Sequence, residues 1–251
     1  MLALKLLLVP GFLALITLVG RRWGPSVSGW LAGFPFVAGP ILLLVTIERG
    51  PVFAAASASA ALGAVLASLA YMLAYAWTCR RHPWPVACAA GLAAWLAAAG
   101  LLRLMLAWLP YDPWPSLIVA AGALLLIVPR FPPTQAVAVR AHLPAYELPV
   151  RMVAGALLTL AVTAASTRIG PAWSGLFTIF PLLSMVLAVF SHRAHGPAYV
   201  GTMLRAMAAG MWSLVVFCVM LALLLPRVSI GSAFVASTAL AVAAQLAVPR
   251  R

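Results

Sequence analysis

Long apolar segments follow one another along almost the whole chain, and they constrain its fold more than any other feature. The hydrocarbon core of a bilayer, about 30 Å thick, is crossed by roughly 20 apolar residues in an α-helix. In lipid, a helix also satisfies its own backbone polar groups. We therefore predict an all-α integral membrane protein of nine transmembrane helices, at residues 2–20, 29–47, 51–78, 84–109, 114–129, 149–166, 173–191, 197–226 and 229–248.

The small number of charged side chains excludes other classes of protein. Only 8% of the residues are charged and 65% are hydrophobic, whereas soluble domains average about 25% charged and about 45–50% apolar residues. A soluble enzyme or a disulfide-stapled secreted domain would need far more polar surface. The net charge of +13 comes from cations that stand singly or in pairs between apolar segments. Such a distribution favours contact with anionic lipids over binding of nucleic acid.

The cations also predict the orientation of the helices. With nine spans, one side of the membrane receives ten of them: Arg21, Arg22, Arg80, Arg81, Arg130, Arg140, Arg151, Arg193, Arg250 and Arg251. The other side receives four: Lys5, Arg49, Arg168 and Arg227. Because Lys and Arg accumulate in cytoplasmic loops, we predict a multi-pass protein of a bacterial inner membrane, with its N-terminus outside and its C-terminus in the cytoplasm.

A repeat relates the two halves of the chain. Residues 22–51 align without a gap with residues 168–197, at an offset of 146, and none of the nine identities involves Leu, Ala or Val. In the first half the identical residues are Arg22, Gly24, Pro25, Ser28, Gly29, Phe34, Pro35, Gly50 and Pro51. In the second half they are Arg168, Gly170, Pro171, Ser174, Gly175, Phe180, Pro181, Gly196 and Pro197.

This repeat predicts an inverted architecture of four, one and four spans. Spans one to four match spans six to nine, and span five is an unpaired linker helix. Since a shift of five spans is odd, the second copy enters the membrane in the opposite orientation. We expect a first repeat at residues 1–110, a linker helix and cytoplasmic loop at 111–148, and a second repeat at 149–251. Inverted repeats are typical of secondary transporters, although channels and scaffolds also arise by inverted duplication.

One stretch of the first repeat resembles a known family. The pattern S-G-x4-F-P, followed after twelve residues by E-R-G, covers residues 28–50 and resembles the GlpM family of small bacterial inner-membrane proteins. The resemblance extends over roughly residues 1–105, and the second half matches only through the repeat, with Ala194 and His195 in place of Glu48 and Arg49. It implies a fused, inverted tandem of a unit that has been linked to exopolysaccharide (alginate) production.

Two Phe-Pro pairs, Phe34-Pro35 and Phe180-Pro181, interrupt spans two and seven at matching positions. Proline removes a backbone hydrogen bond from a helix, and interrupted spans at corresponding positions of two halves indicate a transporter's binding site. On this interpretation the two breaks face each other and expose carbonyl groups to a solute. The alternative is a pair of tolerated kinks, with glycine at a close helix contact.

Six further matched residues belong to the same candidate solute-binding site: Arg22, Ser28, Gly29, Arg168, Ser174 and Gly175. The two serines are predicted N-caps of spans two and seven. If these helix ends are buried, their N–H groups and the two arginines favour an anion. The alternative, which the sequence favours for the arginines, is anchoring to lipid headgroups.

Arg205 and Glu48 complete the set of candidate residues. Arg205 lies in span eight, about 13 Å deep at 1.5 Å per residue, where a charged side chain needs a partner or a wet cavity; snorkelling towards the cytoplasm is the alternative. Its counterpart in the repeat is Ser59. Glu48 is a candidate proton-coupling carboxylate, with an interfacial salt bridge to Arg49 or a headgroup as the alternative.

These features predict a small secondary transporter or flippase-like carrier of an anionic or lipid-linked solute. The rival hypothesis is a non-transporting accessory subunit of envelope polysaccharide or lipid synthesis. An enzyme is disfavoured because only three acidic residues and four histidines are present. We expect no cofactor, no metal and no nucleic acid. The expected partners are membrane lipids and the solute, and the sequence is compatible with a homo-oligomer.

Overall fold

We analysed a computed structural model of the chain. It describes the backbone of residues 2–106, 113–133, 146–168 and 180–248, and the side chains of these residues except 2–5, 105, 106, 163 and 165–168. Within these ranges all regular elements are helical, which confirms the all-α fold. The α-helices are α1 Leu2–Ala32, α2 Ala38–Arg49, α3 Pro51–Thr78, α4 Trp84–Leu106, α5 Pro113–Ile127, α6 Glu147–Arg168, α7 Leu182–His195, α8 Pro197–Leu224 and α9 Ile230–Ala247.

Six helical segments of the described chain are long and apolar enough to cross a membrane: Leu6–Ala32, Pro51–Thr78, Trp84–Leu104, Pro113–Arg130, Pro197–Leu224 and Ile230–Ala247. The last residues of the fourth segment, Val128–Arg130, form a 3-10 helix. By contrast, α2 has 12 residues and α7 has 14, so they rise only about 18 and 21 Å at 1.5 Å per residue. The chain is therefore a membrane protein, with six candidate spanning helices among the described residues where nine spans were expected for the whole chain.

Span two is not the continuous helix over 29–47 that its hydropathy suggested. Helix α1 continues to Ala32, the chain leaves helical geometry from Gly33 to Val37, and α2 then begins at Ala38. The interruption contains Pro35, which cannot donate a backbone hydrogen bond. The predicted break at Phe34-Pro35 is thus confirmed. In the second half α7 begins directly after Pro181, and residues 169–179, which hold the rest of the predicted span seven, lie outside the described chain.

Gly-Pro pairs mark three helix starts. Gly24, Gly50 and Gly196 have φ of 83°, 86° and 86°, a region that favours glycine because it has no Cβ. At Gly50 and Gly196 the following proline opens a new helix, where its missing N–H carries no penalty. Gly24 has the same conformation and interrupts α1, so α1 consists of two helices. Gly170-Pro171 lies outside the described residues.

Helices α3 and α8 form the centre of the bundle and pack against each other. Helix α3 also contacts α4 and α5, and α8 also contacts α1 and α9, while α6 packs against α1. Tyr71 and Tyr75 of α3 and Leu204 of α8 are fully buried. Every other helix is thereby positioned by contact with these two or with α1.

The end of α1 crosses α8 at very short distance. A Cβ atom added at Gly29 would lie 2.0 Å from the carbonyl oxygen of Met203, and one added at Gly33 would lie 2.6 Å from the carbonyl carbon of Gly210. Gly29, near the end of α1, and Gly33, just after it, are four positions apart, as in the small-residue faces that let membrane helices approach closely. The crossing therefore depends on the absence of side chains at these positions.

A reciprocal hydrogen bond fastens α9 to the same part of α1. The Trp30 indole donates to the carbonyl of Gln245 over 3.2 Å, and the Gln245 amide donates to the carbonyl of Trp30 over 2.6 Å. Both residues are buried. A buried polar side chain is favourable only when it is hydrogen-bonded, so this pair fixes the position of α9 against α1.

Candidate functional site

A buried group of charged residues lies where α1 meets α6. Arg151, only 3% exposed, donates to Glu147 Oε1 over 2.8 Å and to Thr17 Oγ1 over 2.9 Å. Arg21 of α1 approaches the other carboxylate oxygen, with its Nη2 4.0 Å from Glu147 Oε2. We call Thr17, Arg21, Glu147 and Arg151 the arginine cluster. It contains two cations and one anion.

The hydrogen bonding of the arginine cluster is incomplete. Arg21 Nε and Nη2, Arg151 Nε and Glu147 Oε2 are buried and have no hydrogen-bond partner within the described part of the chain. Buried guanidinium groups are expensive unless they are paired and hydrogen-bonded. The cluster therefore has one positive charge and several donors in excess, which is the composition of a site that attracts an anion.

Helices α7 and α8 close the cluster on its remaining side. The Phe190 ring of α7 lies 5.5 Å from the Arg151 guanidinium carbon, a cation–π contact. The Tyr199 side chain, 4% exposed, comes from the first turn of α8. Its hydroxyl lies 2.6 Å from the position a Cβ would take at Gly20, so Gly20 provides the room for it. Four helices thus converge on these charges.

The structure places Ser28 at the edge of this region. Ser28 is 1% exposed, and its Oγ lies beside Gly20, as the Tyr199 hydroxyl does. It is not the predicted N-cap of span two, because it lies three residues inside the helix that starts at Pro25 and its hydroxyl donates to the Pro25 carbonyl. Gly29 contacts α8 through the crossing with Met203, so the alternative of a close helix contact is the one that the geometry supports.

The two Phe-Pro breaks contact different helices. Phe34 packs on Phe36 at 4.6 Å between ring centroids, and Phe36 packs on Phe12 of α1 at 4.7 Å. Phe180 meets the Trp95 ring of α4 edge-on at 5.3 Å. Pro35 and Pro181 are both buried. Each break is therefore embedded in aromatic packing, and the described contacts do not join one break to the other.

Arg205 has a backbone partner at the end of the linker helix. The side chain is half-buried, and its Nη1 donates to the carbonyl of Pro132 over 3.2 Å. Arg22 and Glu48 are exposed. The Arg168 side chain and both Ser174 and Gly175 lie outside the described residues, and so their predicted roles remain predictions. Arg205 thus has a polar partner, and its role in solute binding stays a prediction.

A part-buried contact links the end of α3 to the end of α7, and a buried thiol lies just beyond α3. Tyr75 Oη lies 3.3 Å from His192 Nδ1, and burial lowers the pKa of His192. Beyond the end of α3, the Cys79 thiol donates to the Ala76 carbonyl, and burial raises the pKa of this thiol to about 11. Both groups are therefore neutral near pH 7, which suits their apolar surroundings.

Arg151, Glu147 and Tyr199 were not among the residues that sequence reasoning selected. A signal existed for two of them, because Glu147 and Arg151 are four residues apart with the acid first, the favourable order for a helical ion pair. From the sequence alone, Glu147 falls in the linker and cytoplasmic loop at 111–148, and Arg151 is one of the ten cations expected to face the cytoplasm. Thr17 carried no signal, since a single threonine in an apolar helix is common.

Comparisons with known proteins do not narrow the function: no family model, no curated protein and no solved structure matches the chain.

Proposed function

We propose that this chain is a small secondary transporter, or flippase-like carrier, of an anionic or lipid-linked solute. It lies in a bacterial inner membrane and works by alternating access of two inverted repeats. The single observation that carries this proposal is the arginine cluster, which has one positive charge in excess and lies between a helix of the first repeat and helices of the second. Arg151 and Glu147 are buried there, and the Arg21 side chain is 30% exposed. An anionic group would supply the acceptors that Arg21 and Arg151 lack among the described residues.

The helix bounds support two copies of one unit. Helix α8 begins and ends 146 residues after α3, and α7 ends 146 residues after α2. Helix α9 likewise begins 146 residues after α4. Glycines with φ of 86° stand at both corresponding junctions, Gly50 and Gly196. A common offset in helix ends and turns is what a duplicated unit would produce.

In the proposed arrangement α5 is the unpaired linker helix. Helix α5 packs against α3 of the first repeat and α8 of the second. Four spans precede it and four follow it, with α1 and α2 supplying the first two spans through the turn at Gly24 and the break at Pro35. Equivalent helices are five spans apart along the chain. Since this shift is odd, the repeats are inverted.

The orientation gives a first testable prediction. We expect the N-terminus outside and the C-terminus in the cytoplasm, because ten of the fourteen loop cations then face the cytoplasm. Reporter fusions at each terminus would check this orientation. Alkaline phosphatase is active only outside the cytoplasm, and green fluorescent protein is fluorescent only inside it. Both termini on one side would contradict the nine-span arrangement.

A difference between equivalent positions supports alternating access. Arg49 and Phe53 correspond at the offset of 146 to His195 and Tyr199. In the first pair the Arg49 guanidinium carbon lies 5.6 Å from the Phe53 ring, which is 51% exposed. In the second pair the rings stack at 4.2 Å and Tyr199 is 4% exposed. The second pair is packed beside the arginine cluster and the first is exposed, a difference that rocking of two repeats would produce.

The central test is transport itself. In proteoliposomes we expect flux above the protein-free background for at least one probe among chloride, acetate, inorganic phosphate and fluorescently labelled phosphatidylglycerol. Arg21→Gln in the arginine cluster and Ser28→Ala at its edge should each lower the initial rate about tenfold or more, the effect of roughly 1.4 kcal/mol on a barrier. Arg205→Ala, which removes the cation predicted from the sequence, should have an effect of the same size. The matched control is Arg103→Ala, which removes an exposed cation from the end of α4 and should leave the rate unchanged.

The same experiment addresses the rival function. An accessory subunit of envelope polysaccharide or lipid synthesis would show no flux for any probe and would co-purify with a synthase. Equal rates for wild type, Arg205→Ala and Arg103→Ala would contradict a transport role for Arg205. Insertion of each variant is checked by its yield from the membrane fraction.

A further inference from the structure

A cavity of about 220 Å³ lies between the end of α3, the start of α8 and the residues that follow α5. It is separate from the arginine cluster, which lies on another side of α8. Its lining residues are Ala76, Arg80, Pro132, Pro133, Pro197, Ala198, Gly201 and Thr202. These residues include one cation and no acid, so the cavity is electropositive.

The first turn of α8 faces this cavity. Helix α8 has 28 residues and starts at Pro197. The N–H groups of the first turn of a helix have no partner within the helix, and the helix dipole adds partial positive charge there. Helix N-termini with these properties commonly hold phosphate and other anions. Ala198, from this turn, lines the cavity.

Thr202 provides an independent indication of a ligand. Its side chain lines the cavity, it is 6% exposed, and its Oγ1 is buried without a hydrogen-bond partner among the described residues. A buried hydroxyl without a partner is unfavourable by about 1–3 kcal/mol. Most serine and threonine hydroxyls buried in the described helices instead donate to a carbonyl of their own helix, as Thr17 and Thr46 do. An oxyanion in the cavity would satisfy Thr202.

Neighbouring contacts hold the walls of the cavity in place. The Arg80 guanidinium carbon lies 5.1 Å from the Trp77 ring, and the Trp77 indole donates to the Arg130 carbonyl over 2.9 Å. On the opposite wall Arg205 holds the Pro132 carbonyl. A Cβ added at Gly201 would meet no atom within 4 Å, which leaves space beside Thr202.

We propose that this cavity binds the phosphate group of an anionic ligand. The Arg80 guanidinium supplies charge, and Gly201 leaves the room. The Thr202 hydroxyl and the backbone N–H groups of Ala198 and Tyr199 donate hydrogen bonds, since Pro197 has no N–H and the Val200 N–H donates to the Gly196 carbonyl. A phospholipid headgroup and a free or solute-borne phosphate share this chemistry. The site does not depend on transport, since it could equally fix a structural lipid.

Binding of two probes to the purified full chain in dodecyl maltoside tests the site. Inorganic phosphate is titrated by calorimetry, and phosphatidylglycerol is counted by native mass spectrometry. Arg80→Gln should raise the Kd about tenfold or more, because an ionic hydrogen bond is lost. Gly201→Leu should do the same by filling the cavity. The controls are Arg81→Gln, an exposed neighbouring arginine, and Gly122→Leu, a glycine of α5 with equally open surroundings.

The outcomes are distinct. Saturable binding of either probe supports the site if both cavity variants weaken it and neither control does. Binding of phosphate alone indicates a soluble ligand. Binding of phosphatidylglycerol indicates a lipid headgroup. Failure of the wild type to bind either probe overturns the site, as does unchanged binding in Arg80→Gln and Gly201→Leu. Unfolding curves without ligand establish that the variants are folded. If the wild type binds a probe but shows no flux for any probe, the transporter proposal is rejected and the proposed binding site is retained.

Discussion

Replacing Glu147 by Gln destabilises the folded protein by roughly 3 kcal/mol, because removing one partner of a buried ion pair leaves the other charge uncompensated. In this variant Arg151 and Arg21 both lose their carboxylate. Thermal or denaturant unfolding in detergent measures the change. The matched control is Glu48→Gln, which removes an exposed carboxylate at the end of α2 and should change the free energy of unfolding by less than about 0.5 kcal/mol.

A double variant distinguishes the contribution of the Glu147–Arg151 ion pair from the cost of leaving one of its charges unpaired. Glu147→Leu with Arg151→Met replaces the buried ion pair by apolar side chains, and such replacements are often neutral or stabilising. We therefore expect the double variant to recover most of the stability that Glu147→Gln loses. Equal unfolding free energies for Glu147→Gln, Glu48→Gln and the wild type would show that the arginine cluster is not buried in the folded protein.

Gly29→Ala should be the most damaging single-carbon change in α1. Its Cβ would lie 2.0 Å from the carbonyl oxygen of Met203, a backbone atom that cannot rotate away. We expect a loss of about 3 kcal/mol, the upper end of the range for overpacking, seen as aggregation or a lower melting temperature in fluorescence-detected size-exclusion chromatography.

Gly11→Ala is the matched control for this variant. Gly11 also lies in α1, in the segment before Gly24, and a Cβ there would meet no atom within 4 Å. Since alanine is the better helix former, this change should leave the stability equal or slightly higher. Similar behaviour of the two variants would mean that α1 does not cross α8 at Gly29.

Much of the helical fold follows from local chemistry. The predicted starts at residues 51 and 197 are the observed ones because Gly-Pro both ends one helix and opens the next. The length of α2, by contrast, could not be predicted from such local sequence signals. Hydropathy is averaged over a window, and its average stays high across Gly33–Val37. There Gly33 and Pro35 interrupt the helix within an apolar stretch that remains buried or half-buried except at Phe36.

The candidate site was less accessible to sequence reasoning. The repeat drew attention to matched residues, and these include Gly29, whose described role is packing. The arginine cluster depends on a contact between Thr17 and Arg151, which are 134 residues apart. Which helices become neighbours is decided by packing of small-residue faces such as Gly29 and Gly33 against α8. A single sequence contains no direct signal for that choice.

The hydrogen bonds between Trp30 and Gln245 join residues 215 positions apart. At about 5–20 residues per second, a ribosome needs roughly 10–40 s to travel between these two codons. During that interval the small-residue face of α1 is already in the membrane, and its partners α8 and α9 do not yet exist. We therefore expect membrane chaperones and proteases to act on the nascent first half. Chains translated from mRNAs truncated before α8 should be degraded and should not accumulate.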